Sequence, residues 1–198
     1  MVALLLSIFE EVRCTKCPSY EDVVFDTNKL KAFEFHRFEG RWFEIASHNV
    51  EVLTTGCHCT HYSVNNASDD AHWGDHFFCN KGGSNGELKT LNSTGYFSDD
   101  AEYPGKLTEK FNSFVPRTAY WVLDVEADSA TDSYDAAFVY ACVDLLVSKD
   151  EYVYIFQRTP ELNATLKDDW LNQAKSKGID VSDVKDVPME GCSFNSHA

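Results

Sequence analysis

This chain of 198 residues is short of positive charge, proline and long apolar runs, and each shortage removes a class of protein. Only 17 Lys and Arg face 32 Asp and Glu, a net charge of −15. Such a surface repels phosphate backbones and anionic headgroups, so nucleic-acid and polybasic membrane binding are excluded as expectations. The acids are read instead as keeping an aromatic-rich protein soluble. With 5 Pro, 10 Gly and no internal repeat, there is no collagen-like or low-complexity tract and no Pro-rich linker between domains. Met1–Phe9 holds only eight apolar residues, too few to span a bilayer, and nothing later is longer. That segment reads either as the apolar part of a targeting sequence or as a short packed helix. Catalytic signatures are missing too: there is no P-loop, no Gly-x-Ser-x-Gly, no His-Glu-x-x-His, and no evident carboxylate pair or nucleophile beside a base.

What the chain has in plenty is aromatic side chains: 14 Phe, 9 Tyr and 4 Trp. Aromatic residues suit pleated, half-buried strands, which points to an all-β fold. The length suits one domain with a core of its own. Short alternating runs, separated by turn residues, begin after Gly40. They cover 41–47, 57–64, 72–80, 87–97, 105–114, 118–125, 136–143 and 152–158, which makes eight strands. From Glu161 to Lys177 the period changes. Leu162, Leu166, Trp170 and Ala174 recur every four residues, which predicts a helix ended by Gly178. A short extra strand over 179–181 is expected after it. The first 36 residues read as a strap of little regular structure, residues 37–192 as the barrel and helix, and 193–198 as a tail.

Seven cysteines, at 14, 17, 57, 59, 79, 142 and 192, are spread along the chain. Cys14 and Cys17 form one CxxC-like pair and Cys57-His58-Cys59 is too tight for another, so a zinc module is a poor fit. Long-range disulfides in an oxidising compartment fit better. The odd count leaves one thiol over or paired with another chain. Asn66, Asn92 and Asn163 stand in Asn-x-Ser/Thr sequons and are glycosylation candidates, in keeping with secretion. Extracellular fluid, a secretory lumen and a thylakoid lumen all meet the oxidising condition. His58, His61, His72 and His76 crowd one hairpin, but alternation scatters them over both faces, so no metal is expected. Neither is a haem-like ring on His76.

Several motifs resemble those of the lipocalin family. Gly40-Arg41-Trp42 within 38–46 looks like its first signature, in which Gly-x-Trp opens the first strand. Residues 120–124 and 137–142 resemble its sixth and seventh strands, with the Thr-Asp-Tyr signature between them only loosely kept as Thr131-Asp132-Ser133-Tyr134. Residues 152–160 resemble the eighth strand with its terminal arginine, Arg158. The nearest resemblance is to the apolipoprotein D and bilin-binding group, over about residues 17–192. It implies an eight-stranded antiparallel up-and-down lipocalin β-barrel with one C-terminal α-helix packed outside. Also implied are two disulfides, Cys17–Cys142 and Cys57–Cys192, and Arg158 laid over Trp42 at the closed end. Cys59 and Cys79 lie symmetrically about the loop near Asp69 and are candidates for a third, cross-strand bridge, which leaves Cys14 over.

The function so implied is carriage or sequestration, without chemistry, of a small hydrophobic ligand: a lipid, retinoid, carotenoid or bilin-like tetrapyrrole. Tyr154 and Phe156 share a face with Arg158 and are expected to point inward. Pairing Tyr62 with His76 across the second hairpin puts Tyr62, His76 and Phe78 on that face, with Cys57 and Cys59 turned outward. Trp121 completes the candidate lining. Two other readings stay open. One is a structural or pigment-holding subunit docked on a larger assembly through residues 1–9. The other is an enzyme resembling the xanthophyll de-epoxidases, with Asp75 or Asp124 supplying protons.

Overall fold

Period-two alternation gives a strand one apolar face, and a run of such strands buries those faces together by curling into a barrel. The computed structural model describes residues 16–50, 54–67, 71–111, 114, 116–127 and 131–194. Among them are β1 (Gly40–His48), β2 (Cys57–Asn66), β3 (His72–Lys81), β4 (Glu87–Tyr96), β5 (Lys106–Lys110), β6 (Thr118–Ala127), β7 (Tyr134–Asp144) and β8 (Lys149–Gln157). Each is antiparallel to the next, and β1 pairs with both β2 and β8, so the eight-stranded sheet is closed. Closure removes the exposed edges on which an open sheet could add further chains.

β5 is shorter than the run 105–114 suggested. The extra strand does not lie at 179–181. It is β9 (Lys185–Asp186), which pairs with Ala46 and Ser47. A bulge between Glu44 and Ala46 re-phases β1 at that point. Ile179 is instead buried at the end of the helix, its N–H donating to Ala174 O (3.0 Å).

The strap is also more regular than expected. Among its described residues are α1 (Tyr20–Val23), α2 (Thr27–Lys31) and α3 (Phe35–Phe38). Ser19 and Asp26 cap the first two by accepting backbone N–H groups, which gives such short turns a defined start. The strap crosses the outside of β6: Tyr20 Oη donates to Val122 O (2.8 Å), and Lys29 Nζ reaches Asp124 (2.9 Å). α4 (Ala164–Ser176) packs outside the barrel as well. Asn163 caps it by accepting the Leu166 N–H (3.1 Å), and Gly178, at φ +77°, ends it in a conformation that other residues rarely adopt. Trp170 and Ala174 are its buried stripe, Trp170 lying edge-on to Phe138. Leu162 falls before the helix and is 39% exposed. No helix among the described residues is long and apolar enough to cross a membrane.

Three intrachain disulfides tie these parts: Cys17–Cys142, Cys57–Cys79 and Cys59–Cys192. The expected Cys57–Cys192 and Cys59–Cys79 pairs are therefore exchanged. The cause is a bulge in β2 between His58 and His61, with Cys59 at φ +59°. The inserted residue turns Cys59 out toward the tail and returns Cys57 to the face that carries Cys79. The bridges that span 125 and 133 residues would each stabilise by about 5 kcal/mol on the chain-entropy model. Cys14, the cysteine left over, and residues 1–9, the docking segment of the alternative subunit reading, lie outside the described residues.

Candidate functional site

The barrel interior is plugged where β1 begins and hollow where β1 ends. At the plugged end the Trp42 indole N–H donates to Phe38 O (2.7 Å), and the Arg158 guanidinium lies 3.7 Å from the centre of the Trp42 ring. A contact of that kind contributes about 1–2 kcal/mol when desolvated. The same guanidinium donates to the carbonyls of Tyr134, Arg41, Arg37 and Glu39 at 2.7 to 3.1 Å. Trp73 fills the next level. A Cβ on Gly95 would lie 1.8 Å from its ring, so β4 can pass the indole only with glycine there.

Above this plug the inward positions enclose a small chamber of about 30 Å³. Tyr62 and Phe77 face each other across β2 and β3 (ring centres 5.3 Å), while Phe156 and Tyr154 stack along β8 (5.8 Å). Val50, Glu109, Phe111, Tyr120 and Tyr154 line both this chamber and a wider mouth of about 390 Å³. Pro116, Ala141, Val143 and Tyr152 make the rest of the mouth largely apolar.

Three carboxyl groups are buried at this level: Glu44 from β1, Asp75 from β3 and Glu109 from β5. Tyr62 Oη donates to Glu44 Oε2 (2.7 Å), and Ser93 Oγ donates to Glu109 Oε1. Glu44 Oε1, Asp75 Oδ1 and Tyr120 Oη have no hydrogen-bond partner among the described residues. Burial raises the Glu44 carboxyl above its usual range. Asp75 is pushed well up, first by burial and then by the charges of Glu109 and Glu44. Glu109 is pushed up to about 7 by burial, against the lowering effect of the Ser93 hydrogen bond. The Tyr62, Tyr120 and Tyr154 phenols are all raised by burial and stay protonated.

Of the candidate lining residues, the structure brings Tyr62, Tyr154 and Phe156 together at the chamber. It turns His76, Phe78 and Trp121 away from it. Tyr62 stands opposite Phe77, and His76 opposite Ser63, one residue off the pairing assumed from the sequence. Alternation then sends His76 outward, where its Nδ1 meets Asn92 Oδ1 (2.9 Å), and Phe78 outward to stack on His61 (5.0 Å). Trp121 lies on the outer face under the strap, 5.6 Å from Tyr20 and 6.0 Å from Tyr140. The two candidate acids separate as well. Asp75 is inside, whereas Asp124 is on the outer face, where it accepts from Lys29 Nζ and Trp170 Nε1 (2.8 Å). Asp75, Phe77, Glu109 and Tyr120 were missing from the expected lining. The acids among them carried a signal, since Trp73-Asp75-Phe77 and Leu107-Glu109-Phe111 each set a charge on the apolar phase of a strand. No three His, Cys, Asp or Glu side chains among the described residues are placed to hold a metal ion. Asn66, Asn92 and Asn163 are all exposed.

Comparison with known proteins gives a consistent set of likenesses. Residues 33–189 match the family model of the lipocalin-like domain. The chain is 28% identical over 193 residues to apolipoprotein D of Macaca fascicularis, covering 91% of this chain and 84% of that one. Among solved structures, insecticyanin from the tobacco hornworm Manduca sexta superposes with a TM-score of 0.65 at 20% identity, covering 91% and 90% of the two chains. Lobster apocrustacyanin A1 superposes with a TM-score of 0.63 at 18% identity, covering 88% and 93%.

Proposed function

The chain belongs to the lipocalin family, and we propose on that premise that it binds a small hydrophobic ligand in its barrel and carries or sequesters it unchanged. The observation that carries this reading is the mouth of about 390 Å³, largely apolar and leading down to a chamber lined by Tyr62, Tyr154 and Phe156. A ligand burying ~400 Å² of apolar surface there gains about 10 kcal/mol. Association costs of several kcal/mol leave roughly micromolar binding or somewhat better. Burial alone thus supplies the affinity, and no bond needs to be made or broken.

Three disulfides support an oxidising setting for this activity, and we propose that the protein is secreted. Glycans on Asn66, Asn92 and Asn163 are part of the same proposal. A glycan on Asn163 would use its amide nitrogen and leave the oxygen free to cap α4. The decisive experiment is an absorbance spectrum and an organic-extract mass spectrum of protein taken from its native source. A stoichiometric lipid or pigment supports carriage. Folded, disulfide-intact protein that is empty and takes up no uncharged hydrophobic dye overturns it.

A further inference from the structure

We propose that the ligand is a hydrophobic amine, its ammonium seated in the inner chamber between Asp75, Glu109 and the Tyr120 hydroxyl, and its apolar body in the mouth. This rests on the reading of the barrel as a ligand site and adds the chemical class of what it takes.

Two independent features of the chamber lead to that class. The first is size. About 30 Å³ has room for a group the size of an ammonium, while the wider mouth beside it suits an apolar body. The second is the set of atoms waiting there. Asp75 and Tyr120 are 3% and 4% exposed, and Asp75 Oδ1 and Tyr120 Oη are without partners among the described residues. Glu109, 6% exposed, also lines the chamber. Leaving such atoms unpaired costs free energy that a bound donor would recover. An ammonium brings three N–H donors and no acceptor, so it matches two carboxylates and a phenol oxygen.

Other headgroups fit less well. No Lys, Arg or His is among the described residues lining chamber or mouth, so a ligand carboxylate would meet three buried carboxyl groups and no cation. A neutral alcohol has one hydrogen to give. The placement of Ser93 adds to the case, because its hydroxyl engages only Glu109 Oε1 and the Asp75 main-chain oxygen and so leaves Asp75 Oδ1 open. Without ligand, burial makes Asp75 and Glu109 hold protons above their usual range, and at Asp75 the charges of Glu109 and Glu44 add to it. A bound ammonium would take the place of those protons.

The test uses the full chain with its disulfides intact and displacement of the uncharged dye N-phenyl-1-naphthylamine at pH 8. The competitors are 4-phenylbutylamine, 4-phenylbutan-1-ol and 4-phenylbutanoic acid, which differ only in headgroup. The amine is expected to compete at least tenfold better than the alcohol, and the acid worst. Asp75→Asn and Glu109→Gln should each cost the amine about tenfold, a larger factor than either costs the alcohol. Tyr120→Phe keeps the ring and should cost the amine several-fold. An amine no better than the alcohol, or an acid that binds best, overturns the amine assignment but leaves ligand binding standing, since the dye is bound. Failure of the dye itself to bind removes both.

Discussion

The plugged and hollow halves of the barrel are made by the same strands, yet they treat buried polar atoms in opposite ways. In the plugged half Arg158 is a half-buried charge, and four carbonyls and an indole face are arranged around it. In the hollow half Glu44, Asp75 and Glu109 are buried beside one another, and oxygens of the first two are left unpaired among the described residues. A satisfied buried charge adds rigidity, whereas an unsatisfied one costs stability unless something arrives to pair with it. One half therefore reads as the part that holds the fold and the other as the part that waits for a ligand.

Substitutions in the two halves should then shift stability in opposite directions. The largest effect is expected at the plug. Trp42→Ala removes a fully buried indole together with the surface on which Arg158 lies, and should destabilise by about 3–5 kcal/mol in equilibrium urea unfolding. Glu109→Gln should do the reverse, with a sign set by pH. The folded protein holds the Glu109 carboxyl at about 7, above its ordinary value of 4.5. Between those values the native state binds more protons than the unfolded chain, so stability falls as pH rises through the window. Glutamine has no such proton to lose. The variant should gain on the order of 2–3 kcal/mol at pH 8 and close to nothing at pH 4, read from denaturation midpoints at each pH. A loss of stability at both values would put Glu109 with the plug, as a group that holds the fold.

The same contrast separates what the sequence made legible from what it concealed. Strand number and the outer helix could be placed from alternation and from one change of period, while the plug of Trp42 under Arg158 came from the resemblance to the lipocalin family. The lining depends on which strand residue faces which, and a slip of one residue exchanges the two faces. Opposing Tyr62 to His76 in place of Phe77 was enough to put His76 and Phe78 inside. Bulges make this unavoidable for local reasoning. The extra residue at Cys59 gives β2 two phases, and no count of alternating positions could send Cys59 and Cys57 to their separate partners. Trp121 misled for a different reason. A large apolar side chain on the outer face is ordinary only if something covers it, and the covering strap had been read as irregular. The buried acids were readable in principle, because a carboxyl on the apolar phase of a strand breaks the rule that built the strand, and such breaks gather at functional sites.

The finest test of the two faces lies in neighbouring residues of β3. Phe77 lines the chamber, and His76, one residue earlier, points outward to Asn92. Phe77→Ala should enlarge the chamber and change the affinity for an uncharged dye several-fold, the sign depending on how far the wall collapses into the space. His76→Ala loses one exposed polar contact, so its effect on stability should stay within about 0.5 kcal/mol and dye affinity should not move measurably. Measured on the same preparation, the pair controls for strand, level and neighbours, leaving the face as the only variable. If His76→Ala altered dye binding as much as Phe77→Ala, the bound dye would have to contact the outer surface of β3. The hollow half would then lose its standing as the binding site. If only Phe77→Ala acts, the dye is inside, and the unpaired carboxyls are in position to select what joins it there.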